Sequence, residues 1–278
     1  MKDFAKYVYE PLSKNNRKMI NALRKSRNLR QKNKRFLVEG LRSVCEAINS
    51  NYKIDFIVLS ESFLENTLQK NPQLIALINN NKIFRTSDQL FSELSDTVTP
   101  QGIMAVVEYK IFNLYEVISD NFLIIALDRV KDPGNVGTII RSSDAACADA
   151  IIFSKGCVDI YNPKVIRSTM GSVFHIPLIQ SEDFSKELIK LKELGGRIIT
   201  THLRAEKYYY EVDYTQPSII VMGKEDEGVS EDVMKISDEI VKIPMLGRAE
   251  SLNVSVAHGI MLYEAVSQRL GLRPFTCK

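Results

Sequence analysis

FLIIALDRVKDPGNVGTIIRSSDA, residues 122–145, decides the fold class. Its first nine residues are almost continuously apolar, which marks a strand buried on both faces. The turn Asp132-Pro133-Gly134-Asn135 follows, then a helix from Val136 to about Ala148. The alternation continues with a strand at 149–154, a helix at 163–172, a strand at 175–179 and a helix at 182–194. Strands at 197–202 and 218–223, a helix at 230–236, a strand at 239–245 and a closing helix at 252–270 complete it. Strands alternating with helices predict an α/β unit with a mostly parallel, doubly wound sheet over 121–278.

Upstream lies a smaller α/β unit, residues 1–110. It reads as a basic helix from Ser13 to Arg35, a strand at 36–38, a helix over LRSVCEAINS, a strand at 54–60, a helical pattern at 63–79, and strands at 82–87 and 102–109. Residues 110–120 lack firm periodicity and are the candidate linker. At 278 residues, 45% hydrophobic and 26% charged, the chain is long enough for two cores and is not a disordered polymer. No apolar run reaches the ~18 residues of a membrane span, and the polar, basic start has no secretory leader. Cys45, Cys147, Cys157 and Cys277 are scattered, without metal spacing, as expected of reduced thiols in a cytoplasmic protein. Residues 1–35 carry twelve Lys and Arg against Asp3 and Glu10; that surplus of ten, within a net charge of +3, leaves about −7 for the remainder. A basic arm on an acidic body suggests a polyanionic partner, with a solvated helix face as the competing account.

Three glycine-bearing segments in the second unit each follow a predicted strand, where open α/β sheets hold their ligands. In 128–145, Pro133, Gly134 and Gly137 permit a tight turn, and Asn135 and Arg141 are expected to converge on one pocket. In VMGKEDEGVS (221–230), Gly223 lets a ligand approach the backbone. In IPMLGRAESLNVSVAHG (243–259), Ser251 is the expected N-cap and Asn253 sits in the first helical turn. None is a Walker motif or a dinucleotide fingerprint. Each alone has an ordinary structural explanation.

In order and spacing, the three segments resemble the motifs of the SpoU/TrmH methyltransferases: Asn135 to Arg141 for the first, Gly223 to Gly228 for the second, Ile243 to Ala257 for the third. FLVEGLRSVCEAI (36–48) and TPQGIMAVVE (99–108) also resemble the substrate-binding module of that family. Lys224 departs from the pattern, where Asn is usual. The resemblance implies a deep trefoil knot at the C-terminus, a homodimer whose pocket the second copy completes, and S-adenosylmethionine as methyl donor. It implies cofactor contacts at Thr201, Gly223, Ile243, Ser251 and Leu252. The implied catalytic set is Arg141, Asn135, Glu225, Ser251 and Asn253, with Glu225 holding Arg141 or substrate. The implied reaction is methyl transfer to a ribose 2′-hydroxyl, of 23S rRNA in first place and tRNA in second, with no metal and no membrane partner.

Arg17, Lys18, Arg24, Lys25, Arg27, Arg30, Lys32, Lys34 and Arg35 are the expected RNA phosphate contacts. His175, His202 and His258 are expected to serve packing. Two other readings stay open: an RNA-binding assembly factor without catalysis, and a nucleotide-binding enzyme such as a dehydrogenase. Retention of Asn135, Arg141 and Glu225 weighs against the former, the missing dinucleotide fingerprint against the latter.

Overall fold

Ser13 and Ser26 each accept a backbone N–H three residues ahead, from Asn16 and Leu29, so the basic stretch folds as two helices and not one. These are α1 (Lys14–Lys25) and α2 (Arg27–Asn33), preceded by a short strand, β1 (Glu10–Pro11). The computed structural model describes residues 9–203 and 205–272. It divides into two units, Met1–Lys110 with Tyr161–Phe174, and Ile111–Ile160 with His175–Lys278.

The first unit continues with β2 (Arg35–Glu39), α3 (Leu41–Asn49), β3 (Ile54–Ser60) and α4 (Glu61–Phe63). A π-helical turn, Leu64–Leu68, precedes α5 (Pro72–Ile78), β4 (Ile83–Thr86), α6 (Asp88–Leu94) and β5 (Ile103–Glu108). The strands form a mixed sheet in the order β1-β4-β3-β5-β2, with β5 antiparallel to both neighbours. Ile20, Leu23, Leu37, Phe56, Val58 and Phe84 meet in its core. Met19, Ile20 and Leu23 are the apolar residues of α1, so the helix packs by one narrow stripe and leaves its lysines outside.

The second unit contains α7 (Leu114–Val117), β6 (Leu123–Leu127), α8 (Pro133–Ala145) and β7 (Ala150–Phe153). The chain then contributes α9 (Pro163–Thr169) to the first unit, where Tyr161 stacks on Tyr109 with ring centroids 3.9 Å apart. Residues 161–174, expected within the second unit at 121–278, thus belong to the first. It returns for β8 (Leu178–Gln180), α10 (Phe184–Glu193), β9 (Arg197–Thr201), β10 (Lys207–Tyr208) and β11 (Ser218–Met222), and ends with α11 (Glu231–Ile236), β12 (Glu239–Lys242) and α12 (Val254–Arg269). The seven strands are all parallel, in the order β10-β12-β9-β11-β6-β7-β8. Every residue of β6, β7 and β11 is buried, as continuous apolar runs require. The interval 110–120, expected to be a linker, holds α7, whose Leu114 packs into the core.

His258 and Arg269 are among the side chains that bind α12 to the rest of this unit. His258, fully buried, meets Ser143 of α8 at 3.2 Å through Nε2, and burial holds its pKa down at about 3. Arg269, at the end of α12, donates to four carbonyls, those of Asn121, Phe122, Tyr214 and Gln216, at 2.7–3.0 Å. No helix among the described residues is long and apolar enough to cross a membrane.

Candidate active site

The carboxyl ends of β9, β11 and β12 open onto a cavity of about 340 Å³, the position where parallel α/β sheets place ligands. Thr201 ends β9, Gly223 follows β11, and Ile243 follows β12; with Ser251 and Leu252 they line the cavity. All five expected cofactor contacts therefore meet in one place. Met222, Val241 and Val254 add apolar wall.

The segment 223–228 folds back on itself. Lys224 and Gly228 exchange backbone hydrogen bonds of 3.0 and 2.8 Å. A Cβ on Gly223 would lie 2.2 Å from both the Gly228 carbonyl carbon and the Val229 nitrogen, so no side chain fits there. Lys224 Nζ reaches Asp226 at 3.1 Å and Glu227 at 2.5 Å, which raises the lysine pKa, through Glu227 first, and lowers both carboxylates. The departure from the family pattern at Lys224 thus has a local structural use. Arg129 adds a strap: Nη1 pairs with Glu227 at 2.7 Å and Nη2 donates to the Gly228 carbonyl at 3.2 Å. Its backbone adopts φ of 61°, uncommon for a non-glycine residue. Buried Asp128 accepts the Ser230 N–H at 2.7 Å. The sequence reading gave neither Asp128 nor Arg129 a role, although an acid-base pair at the end of a buried strand was a signal.

Three of the expected catalytic residues form a chain. Asn253 Nδ2 donates to Asn135 Oδ1 at 2.9 Å, and Asn135 Nδ2 donates to Glu225 Oε1 at 3.1 Å. Asp132, the N-cap of α8, accepts the Asn135 N–H at 2.8 Å and starts the helix that carries Asn135 and Arg141. Glu225 lines the cavity, so the chain ends on its rim.

Three expectations need correction. Arg141 lies exposed on α8, outside the residues lining the cavity, and Glu225 holds Asn135 instead of Arg141. The N-cap of α12 is Asn253, which accepts the Ser255 N–H at 2.9 Å, while Ser251 stands in the loop before it. His202, expected only to pack, lines the cavity. His175 meets Asp144 at 3.1 Å.

In the first unit, four expected phosphate contacts are otherwise engaged. Arg30 is 3% exposed and donates to the Leu23 and Arg24 carbonyls. Arg24 donates to the carbonyls of Glu93 and Ser95, Arg17 to that of Leu12, and Arg35 pairs with Asp55 at 3.0 Å and Glu108 at 3.4 Å. These guanidiniums tie loops together, a function that composition cannot distinguish from an RNA contact. Lys18, Lys25, Lys32 and Lys34 are exposed and Arg27 half-buried. Lys14, not among the expected contacts, lies on the same face of α1 as Lys18 and Lys25 by helical spacing.

Among the described residues no group of three His, Cys, Asp or Glu side chains could hold a metal ion. Cys45, Cys147 and Cys157 are free thiols, and Cys277 lies outside the described residues.

Both units resemble known proteins. Residues 14–105 match the MRM3-like substrate binding domain, and residues 122–263 match the SpoU rRNA Methylase family. The chain is 33% identical over 235 residues to the 23S rRNA (guanosine(2553)-2′-O)-methyltransferase RlmP of Bacillus subtilis, covering 84% of this chain and 89% of that one. It is 30% identical to the 23S rRNA (uridine(2479)-2′-O)-methyltransferase of Streptomyces viridochromogenes, over 92% of this chain and 90% of that one. An AdoMet-bound rRNA methyltransferase from Sinorhizobium meliloti superposes with a TM-score of 0.80 at 31% identity, over 94% of this chain and 97% of that structure. The matched motifs, the parallel sheet and these relatives agree: the chain belongs to the SpoU rRNA methylase family.

Proposed function

We propose that this protein transfers a methyl group from S-adenosylmethionine to a ribose 2′-hydroxyl of large-subunit ribosomal RNA, in the cytoplasm. The observation that carries the reading is the cavity at the strand ends, lined by Thr201, Gly223, Ile243, Ser251 and Leu252, with the Asn253–Asn135–Glu225 chain ending on its rim. The cavity fits the methyl donor in kind. Its volume of about 340 Å³ lies in the range of small-ligand sites. Its walls mix apolar and polar side chains, and the carboxylate of Glu225 at its edge, which unlike those of Asp226 and Glu227 has no cationic partner among the described residues, suits a cationic sulfonium.

When bound, S-adenosylmethionine supplies an activated methyl group. Residues of this chain must place the ribose oxygen in line with it and manage the hydroxyl proton. The rim carboxylate, Glu225, is held at Oε1 by Asn135 and by the Asp132 N–H at 3.4 Å. Its free oxygen can accept the hydrogen bond of the hydroxyl and fix its direction. Asn253 holds Asn135 in the amide orientation that donates to Glu225. The role of the Arg141 guanidinium is to clamp the adjacent phosphate and stabilise the alkoxide as it forms. Arg141 is exposed and, unlike Asn135, makes no side-chain hydrogen bond among the described residues to a residue lining the cavity of its own chain, and the family resemblance implies a pocket completed by a second copy. We therefore assign it to the cavity of a second copy, which makes the working enzyme a homodimer. The family resemblance adds a trefoil knot around the cofactor loops.

The test is incubation of the protein with tritiated-methyl S-adenosylmethionine and unmodified total RNA, with nucleosides mapped by mass spectrometry. Label on a ribose 2′-oxygen of large-subunit rRNA is the expected result; label on a base, or none beside measurable cofactor binding, refutes the assignment. Arg141→Ala should abolish transfer with RNA binding held within a few fold.

A further inference from the structure

Beside the exposed lysines, the first unit has a second cavity, of about 360 Å³, at the carboxyl ends of β3 and β4. Its chemistry differs from that of a phosphate site. No lysine or arginine lines it, and its one charged group is the carboxylate of Asp88. Asn66, Thr67 and Ser92 point polar side chains there that have no hydrogen-bond partner among the described residues, and Gln101 lends only its Oε1, to the Leu41 N–H.

Several features show that the cavity is built and not left over. Asn66 and Thr67 sit on the π-helical turn Leu64–Leu68, a rare geometry that concentrates at functional sites. Gly102 holds φ at +82°, and a Cβ there would lie 2.5 Å from Ser60 Oγ and 2.8 Å from Phe63 Cβ. Ser62 donates its N–H and hydroxyl to the two oxygens of Asp88, at 3.1 and 2.7 Å. That fixes the carboxylate and lowers its pKa, with a further side-chain hydrogen bond from Ser60, and leaves one acceptor site of the carboxylate for another donor.

We infer that this cavity takes an unpaired nucleobase of the RNA, one bearing an exocyclic amine that donates to Asp88. A carboxylate accepts from such an amine and repels the keto oxygen that uracil carries in its place. The flanking amides and hydroxyls of Asn66, Gln101, Thr67 and Ser92 match the mixed donors and acceptors of a base edge. RNA sequence is read mainly from bases splayed out of the stack, which such a recess admits. The inference rests on the RNA-modifying reading above, and it supplies a base-reading element that the lysines cannot.

The experiment titrates the full chain with fluorescein-labelled cytidine and uridine octamers, which differ at the amine. The cytidine octamer should bind about tenfold tighter. Asp88→Asn and, separately, Asn66→Ala should bring the two within about threefold of each other, with S-adenosylmethionine affinity and thermal midpoint unchanged. The Asn66 side chain makes no hydrogen bond among the described residues, so its variant keeps the test valid if the Asp88 variant misfolds. Equal binding of the two octamers by the unaltered protein, or a preference retained in both variants, overturns the proposal. Methyl transfer by the unaltered protein without octamer preference would remove the base pocket and leave the enzyme. Preference without transfer would do the reverse.

Discussion

Replacing Asn135 by Asp keeps the shape of the side chain and its acceptor for Asn253, but turns the donor aimed at Glu225 into a second carboxylate. The separation is 3.1 Å. Two like charges at that distance repel by about 1 kcal/mol in bulk water and ~5 kcal/mol at an effective dielectric constant of 20. The site is solvated, since Glu225 is exposed and Asn135 half-buried, so the lower part of that range applies, about 1–2 kcal/mol. If Glu225 must hold its place in the transition state, kcat/KM falls by about 5- to 30-fold at pH 8. The pair then holds a proton more tightly than either carboxyl would alone, so its folded pKa rises. The repulsion is complete above that raised pKa and shrinks as pH falls through it. The ratio of wild-type to Asn135→Asp activity should therefore narrow from pH 8 to pH 5.5, while the ratio for Asn135→Ala, which loses hydrogen bonds without gaining charge, stays flat. Methyl transfer under single-turnover conditions measures both. An Asp variant within twofold of wild type at pH 8, or a ratio without pH dependence, would refute the Asn135–Glu225 contact as part of the mechanism.

Two further outcomes follow from charges in and on the fold. His258 is neutral when folded, with its pKa depressed to about 3, so between pH 6.5 and 3 the unfolded chain binds the extra proton and stability drops as pH falls, by up to about 1.4 kcal/mol per unit. Urea midpoints at pH 7, 6 and 5 should fall more steeply for wild type than for His258→Gln; parallel curves would count against the buried neutral histidine. Changing Lys18, Lys25, Lys32 and Lys34 to Gln should flatten the salt dependence of RNA binding by about 0.7 in log-log slope per lost contact. An unchanged slope would make those lysines a solvated face.

The second unit was legible because burial on both faces leaves a plain signature, as in Leu123–Leu127 and Ser218–Met222. The five cavity residues came from the resemblance to the family, because strand-end glycine and small polar residues alone do not single out Ile243 or Leu252. The limits lie elsewhere. Ser26 divides one basic helix into two through a cap that a mid-helix serine does not announce. Arg30 is buried because its guanidinium finds two carbonyls, a tertiary circumstance that one-dimensional charge counting reads as a phosphate contact. Arg141 and Asn135 are about 1.7 turns apart on α8, and periodicity does not tell which of them meets Glu225 at the cavity. Tyr161–Phe174 joins the first unit through aromatic contacts with Phe36, Tyr52 and Tyr109, partners more than fifty residues away in sequence.

The four carbonyls gathered by Arg269 bear on how the sheet opens. Asn121 and Phe122 lead into β6, and Tyr214 and Gln216 lead into β11, its neighbour in the sheet. One guanidinium thus satisfies the approaches to two adjacent central strands from the end of a helix far along the chain. If α12 lifts away, all four carbonyls lose their donor together, so the helix and the entries to both strands form one cooperative unit that breathes as a whole and not strand by strand.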